Sequence, residues 1–225
     1  LVGSEMCIRD RTLSLGSKER SGFPLEKNPQ LTTGWMTEGP NTRSIPQLRI
    51  EIKDFLDIPG LGHWLALKGH LAYGWFTDSN WQEDFVGKNQ YFTKGTKYHS
   101  KSLLFRLGNR EKLPLEFEFG LIMATQFGGS KYFKNAQGEV SKTMDMPDDL
   151  GAYWSAFFPQ GGGSDTTEGE QKNVEGNMLG SWNFALNCYL NNWKFRVYLD
   201  HYFEDHSQMF WEYGRWKDGQ LGIEI

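Results

Sequence analysis

The stretch Gly180–Glu204, GSWNFALNCYLNNWKFRVYLDHYFE, decides the fold. Asn191-Asn192 lies at its centre, and asparagine tolerates the positive φ angles that a two-residue hairpin loop requires. A turn at this point pairs Leu190 with Trp193 and continues the pairing along both arms. One face of the resulting hairpin is almost wholly apolar and the other is polar, so a slip of one residue would mix the two sets. The stretch therefore predicts a long antiparallel hairpin with a fixed register.

The length of the two arms bears on where the hairpin lies. Each arm runs for about eleven residues, roughly twice the usual globular strand and close to the length that crosses a bilayer at a tilt. Such a hairpin fits a soluble β-sandwich whose apolar face packs on a core. It also fits an outer-membrane barrel, with the apolar face toward lipid and the polar face toward a wet lumen.

Composition narrows the class of protein. The chain has 225 residues, 15% of them aromatic, and a net charge of −4. High aromaticity with low mean hydropathy suits a barrel, where lipid-facing and lumen-facing residues alternate, and it also suits a sugar-binding β-protein. The sequence has no apolar run long enough for a membrane helix and no basic block, so a nucleic-acid partner is not expected. Cys7 and Cys188 are the only cysteines, and no disulfide is predicted from them.

The rest of the chain sorts its connections by length. Alternating strands are predicted at Thr12–Gly16, from Ile45, at Trp64–Phe76, Tyr98–Leu107 and Leu115–Gln126, and from Gln220. Short turns fall at Pro59–Gly62, Asn109–Lys112 and Asn191-Asn192, whereas long connections cover Thr77 to about Thr96, Phe127–Asn177 and Asp205–Asp218. Short turns at one end and long loops at the other are typical of bacterial outer-membrane barrels. The fold class predicted is all-β, an antiparallel transmembrane barrel with long extracellular loops.

The domain boundaries follow from both ends of the sequence. Residues 1–11, LVGSEMCIRDR, look like translated sequencing adapter and are set aside as non-native. Residues 12–225 are expected to be a partial barrel of about seven or eight strands, truncated at both ends, with the signal peptide missing and open edges that prevent folding alone. Within the connection Phe127–Asn177, Asp145–Phe158 predicts a short helix with Asp145 as N-cap.

Four stretches carry a family resemblance: NTRSIPQLRIEIKDF (Asn41–Phe55), GTKYHSKSLLFRLG (Gly95–Gly108), NVEGNMLGSWNFAL (Asn173–Leu186) and HYFEDHSQMFWEYGRWKDGQLGIEI (His201–Ile225). They resemble the Wzi family of capsule-assembly outer-membrane proteins, in the form found in Bacteroides-like bacteria. The resemblance implies a monomeric barrel in the bacterial outer membrane that binds capsular polysaccharide and holds the capsule to the cell surface. It implies no enzymatic activity, and no cofactor is expected.

Exposed aromatic side chains on long loops are what a glycan-binding surface needs, because apolar sugar faces stack on rings. Lysine and arginine would add contacts to acidic sugars. The candidate polysaccharide-binding residues are Trp81, Tyr91, Tyr98, Lys101, Tyr153, Trp154, Trp211, Tyr213, Arg215 and Trp216. The alternative is that such rings form the aromatic girdle at the membrane interface, which is the better interpretation for Trp75 and Trp182, or that they pack the loops together. Trp154, on the predicted helix, could equally plug the lumen.

The polar face carries charges of both signs. The residues predicted to point into the lumen are Lys68, His70, Arg106, Glu116, Glu118, Lys194, Arg196 and Asp200. Cross-strand ion pairing is the favoured interpretation. A second function hypothesis is a general porin, to be separated by bilayer conductance, since a lumen plugged by Phe127–Asn177 should conduct poorly. A third is a carbohydrate-active enzyme that uses Glu116 or Asp200. The group His201, Asp205 and His206 has no characteristic ligand spacing, so no metal site is predicted.

Overall fold

A computed structural model describes residues 2–20, 25–28, 30, 34–35, 37, 39, 42–158, 177–204, 209 and 218–225. The chain is mostly antiparallel β-sheet. Nine strands form the large sheet in the order β1-β2-β3-β4-β6-β7-β10-β11-β12. Their bounds are β1 Val2–Ile8, β2 Arg11–Ser17, β3 Gln47–Asp57, β4 Leu65–Trp75, β6 Lys97–Leu107, β7 Leu115–Phe127, β10 Asn177–Leu190, β11 Trp193–Glu204 and β12 Gly219–Glu224. The all-β prediction is confirmed, and the described strands form an open sheet with β1 and β12 at its edges.

The hairpin that organises the chain has the predicted register. Leu190 pairs with Trp193 across the turn, and the pairing runs without a shift to Leu179 opposite Glu204. Asn191 has a φ of 53°, the left-handed conformation that the two-residue loop demands. Because direct cross-strand partners point to the same side, this register assigns every residue of the hairpin to one face.

The connections of the large sheet are sorted by length as the sequence predicts. Short turns join β3 to β4, β6 to β7 and β10 to β11. Each strand of the large sheet lies beside the next strand of that sheet along the chain. Since the strands form an antiparallel meander, all short turns lie at one end of the sheet and all long connections at the other. We call these the turn end and the loop end. Val2–Ile8, within the segment set aside as non-native, pairs along its length with β2.

The long connections contain structure that the sequence analysis missed. A second sheet, in the order β5-β8-β9, joins β5 (Gln90–Lys94) from one connection to β8 (Ser130–Lys134) and β9 (Val140–Asp145) from the next. Helix α1 is Trp81–Phe85. None of the helices in the described ranges is long and apolar enough to cross a membrane.

The predicted helix exists, but its predicted start was wrong. Asp145 is the last residue of β9, where its neighbours continue a strand ladder. Helix α2 is Leu150–Phe157, and its N-cap is Asp149, whose side chain accepts a hydrogen bond of 2.9 Å from the backbone N–H of Ala152. Both aspartates fit the N-cap preference, and the pairing of β8 with β9 decides between them.

The burial of the large sheet is the reverse of that in a sheet packed on an apolar core. The polar face of its strands is buried: it includes Arg49, Glu51, Lys68, His70, Ser100, Glu116, Glu118, Asn183, Asn187, Arg196 and Asp200. The apolar face is largely exposed: it includes Leu13, Leu15, Leu48, Ile50, Leu71, Leu103, Leu115, Phe117, Leu186, Phe195, Val197 and Ile223. We keep the names polar face and apolar face for these two surfaces.

The connection between β2 and β3 covers part of the polar face. Leu25, from this connection, is fully buried against Leu104, Ala185 and Tyr198 of the sheet. The Lys27 side chain is also fully buried there and pairs with Asp200. The described residues of this connection therefore cover the polar face where β6, β10 and β11 contribute to it.

Helix α2 packs on the other side of the sheet. Tyr153 lies between Tyr73 and Phe127, at ring-centroid distances of 5.4 and 4.9 Å, and Phe157 lies 5.6 Å from the His99 ring. The register places these sheet residues on the apolar face at the loop end. The described part of Phe127–Asn177 thus does not plug the polar face, contrary to expectation. Residues 159–176 lie outside the described ranges.

Candidate functional site

Glu118 anchors a hydrogen-bonded cluster on the polar face. Arg196 donates to Glu118 Oε2 from Nη2 at 3.1 Å, and Asn187 donates to Glu118 Oε1 from Nδ2 at 2.8 Å. Arg196 also donates to Asn187 Oδ1 at 3.1 Å. The three side chains come from β7, β10 and β11, which the sheet places side by side. Glu118 is therefore a buried, paired carboxylate.

Glu116 lies in a second cluster toward the turn end. Tyr189 donates its hydroxyl to Glu116 Oε2 at 2.8 Å, and Arg106 Nε lies 3.7 Å from Glu116 Oε1. Arg106 also contacts Asp57 Oδ1 at 3.2 Å. The predicted cross-strand ion pairing is confirmed for both glutamates, and both side chains are buried.

The remaining predicted polar-face residues divide into buried and exposed groups. His70 is buried between two serines, with Nε2 2.6 Å from Ser100 Oγ and Nδ1 2.8 Å from Ser102 Oγ. Lys68 is buried and lies 3.5 Å from Glu26. Lys194 is exposed beside the hairpin turn, where its side chain lies over the Tyr189 ring.

Asp200 anchors the connection between β2 and β3 to the polar face. It accepts from Asn183 Nδ2 at 2.8 Å and pairs with Lys27, whose ammonium also donates to the Gly34 carbonyl at 3.1 Å and to Gln220 Oε1 at 2.6 Å. Lys27 was not predicted from the sequence, because an isolated lysine in a polar segment carries no periodic signal.

The predicted sugar-binding residues that the structure describes fall into two groups. Trp81 on α1, Tyr91 on β5 and Trp154 on α2 are exposed at 59%, 54% and 62% of their surface. Tyr98 and Tyr153 are packed: Tyr98 is buried against Phe76, and Tyr153 holds α2 to the sheet. Trp211, Tyr213, Arg215 and Trp216 lie outside the described residues.

Lys101 lies on the apolar face, which the sequence analysis did not predict. It stands opposite Leu71 and Met123 in the sheet, and its ammonium lies 4.2 Å from the centre of the Phe157 ring. The sheet itself therefore separates Lys101 from the charged groups of the polar face, and helix α2 covers Lys101 on the apolar face.

A recess at the loop end of the polar face was not predicted. Its lining includes three cationic side chains, those of Lys18, Arg20 and Arg43, besides Thr42, Ser44, Ile45, Gln47 and Tyr98. One sequence signal points to this recess. A basic residue lies close to each end of the connection between β2 and β3, and these two strands are neighbours in the sheet.

The fold and the site together define an all-β protein with a buried, ion-paired polar face and an exposed apolar face. In the described ranges, no three His, Cys, Asp or Glu side chains come together in a group that could hold a metal ion. Comparison with known proteins gives no match to any family model, curated protein or solved structure.

Proposed function

We propose that this chain forms a transmembrane β-barrel of the bacterial outer membrane that binds capsular or surface polysaccharide and supports capsule attachment, without enzymatic activity. The observation that carries the proposal is the reversed burial of the large sheet. Leu186 and Val197, directly paired on the apolar face, expose 47% and 42% of their surface. A soluble protein rarely exposes so continuous an apolar face, and lipid is the solvent that suits it.

Aromatic residues near both edges of the apolar face support a membrane position. Trp75 and Trp182 lie toward the loop end, whereas Trp193 lies at the turn end. Tryptophan is enriched at both membrane–water interfaces because its ring is apolar and its N–H needs a polar partner. The Trp182 indole donates to the Met209 carbonyl at 2.8 Å, as a ring at such a boundary should.

Polysaccharide binding is supported by the exposed rings at the loop end. Trp81, Tyr91 and Trp154 offer stacking surfaces, and in an outer-membrane barrel the long loops face the cell exterior. Weak contacts repeated along a polymer would supply affinity. The resemblance to the Wzi family points to the same ligand and remains part of this proposal.

The porin alternative is disfavoured by the covered polar face. Leu25 and Lys27 are fully buried against residues of β6, β10 and β11. An open diffusion pore needs water along this surface. The enzyme alternative is disfavoured because the buried carboxylates of Glu116, Glu118 and Asp200 are each held by a hydrogen bond or an ion pair.

The experiment uses the chain purified in detergent and presented with capsular polysaccharide from an encapsulated host on a coated surface. Saturable binding together with negligible conductance in planar bilayers supports the proposal. Steady conductance without polysaccharide binding would identify a porin instead. Turnover of a glycan that disappears in Glu116→Gln would establish the enzyme alternative.

A further inference from the structure

The recess at the loop end is built from two chain segments that flank one connection. Lys18 and Arg20 follow β2, and residues 42–47 lead into β3. Tyr98 reaches the recess from β6, although β4 lies between β3 and β6. The recess is therefore lined by residues on or next to β2, β3 and β6, and it lies at the loop end of the polar face.

Gly74 of β4 allows the Tyr98 side chain to extend across β4 into the recess. It is the residue of β4 that pairs with Gln47 on one side and with Tyr98 on the other. A Cβ at Gly74 would lie 2.2 Å from the Pro46 carbonyl oxygen and 2.8 Å from the Gln47 Cβ. Because glycine has no side chain, the ring of Tyr98 and the amide of Gln47 share one concave surface.

The recess carries an excess of positive charge. Lys18 pairs with Glu5, and Arg20 donates to the Lys18 carbonyl and to Ser14 Oγ, each at 3.0 Å. Arg43 is exposed, and no hydrogen bond or ion pair joins it to another residue in the described part of the chain. A guanidinium without a partner can bind a carboxylate with two parallel hydrogen bonds.

Gln47 supplies a neutral polar group beside these charges. Only 5% of its surface is exposed, its Nε2 donates to the Ile45 carbonyl at 3.3 Å, and its Oε1 has no hydrogen-bond partner among the residues that the structure describes. A buried acceptor without a donor costs free energy, which a hydroxyl donor from a ligand would recover. An anion alone provides no such donor, whereas a sugar does.

We propose that this recess binds one acidic sugar residue of a polysaccharide, with the carboxylate on Arg43 and Arg20 and a hydroxyl donating to Gln47 Oε1. This inference rests on the proposed function and names its ligand class, a polymer that contains uronic acid.

The test measures binding of tetragalacturonate to the chain in detergent by calorimetry. Its methyl ester, which keeps the hydroxyls and removes the charges, is the matched ligand. Arg43→Gln removes the exposed guanidinium and should weaken binding about tenfold. Lys88→Gln is the matched control, because Lys88 is also an exposed cation at the loop end but lies outside the recess. Glu5→Gln frees Lys18 and should tighten binding.

The outcomes separate this inference from the proposed function. Binding of tetragalacturonate but not of its ester, weakened by Arg43→Gln and unchanged by Lys88→Gln, supports the recess as an acidic-sugar site. Equal effects of the two variants, or displacement of the sugar by an equal concentration of inorganic phosphate, would overturn it. If capsular polysaccharide binds and tetragalacturonate does not, the recess proposal fails while polysaccharide binding stands. Failure of both ligands contradicts both proposals.

Discussion

Lys27 and Asp200 form a fully buried ion pair although 173 residues separate them in the sequence. The pair joins the connection between β2 and β3 to the polar face of β11. Around it, Asn183, Gln220 and the Gly34 carbonyl supply further hydrogen bonds. The arrangement satisfies both charges away from water, which is the condition under which a buried pair is tolerated.

Breaking this pair should destabilise the fold. Lys27→Met leaves the Asp200 carboxylate buried without its cation, and such a loss costs about 3 to 5 kcal/mol. The measurement is urea-dependent unfolding in lipid vesicles, followed by tryptophan fluorescence. Lys142→Met, at the exposed pair with Asp145, is the control and should cost less than about 1 kcal/mol. Equal losses would show that Lys27 is not buried against the sheet.

The second prediction concerns the apolar face. Val197→Arg should cost about 2 to 4 kcal/mol if the middle of this face contacts hydrocarbon. The same change on a water-exposed surface is usually within about 0.5 kcal/mol. Ala136→Arg, in the exposed turn between β8 and β9, is the matched control. If Val197→Arg is as mild as Ala136→Arg, the face does not lie in lipid.

The sequence predicts the large sheet well because its signal is local and periodic. Alternation over Leu115–Phe127 assigns every side chain to a face, and Asn191-Asn192 sets the register of β10 and β11. The second sheet carries no comparable signal, because its strands are short and mostly polar. The pairing of β5 with β8 also joins two different connections.

The candidate site was less predictable for a related reason. Exposed rings such as Trp154 can be proposed from loop position alone, whereas the packing of Tyr98 and Lys101 depends on which face a strand residue occupies. The contacts of Lys27 and the position of Arg43 depend on how a long polar connection returns over the sheet. No periodic pattern specifies that path.

Two adjacent residues of α2 should have different effects on polysaccharide binding. Trp154→Ala removes an exposed ring and should weaken binding several-fold without a change in stability. Tyr153→Ala removes the ring between Tyr73 and Phe127, so it should lower the unfolding free energy by about 3 kcal/mol. Binding assays and unfolding curves on both variants check this. A stability loss in Trp154→Ala that matches the loss in Tyr153→Ala would contradict the assigned orientation of the helix.

His63, in the turn between β3 and β4, should titrate above the usual range. The Asp57 carboxylate lies 2.6 Å from His63 Nδ1, and this hydrogen bond raises the pKa of the imidazole. Because the pKa is higher in the folded state, the pair stabilises the fold below the ordinary pKa of histidine. That contribution is lost as the pH rises through the raised value.

An NMR titration of the His63 ring protons measures this pKa directly. Asp57→Asn should return the pKa toward the ordinary value, whereas Glu111→Gln, which removes only a weaker and more distant charge, should lower it slightly. An unchanged pKa in Asp57→Asn would show that the hydrogen bond is absent in solution.

The membrane assignment is tested most directly by measuring whether lipid or water contacts each residue of β11 in lipid vesicles. Spin labels are placed singly at positions 195 to 199 in a background without Cys7 and Cys188, and collisions with oxygen and with a water-soluble nickel chelate are compared. We expect that oxygen reaches the labels at Phe195, Val197 and Leu199, whereas those at Arg196 and Tyr198 are shielded. High nickel accessibility at Val197 would place the apolar face in water and contradict the membrane assignment.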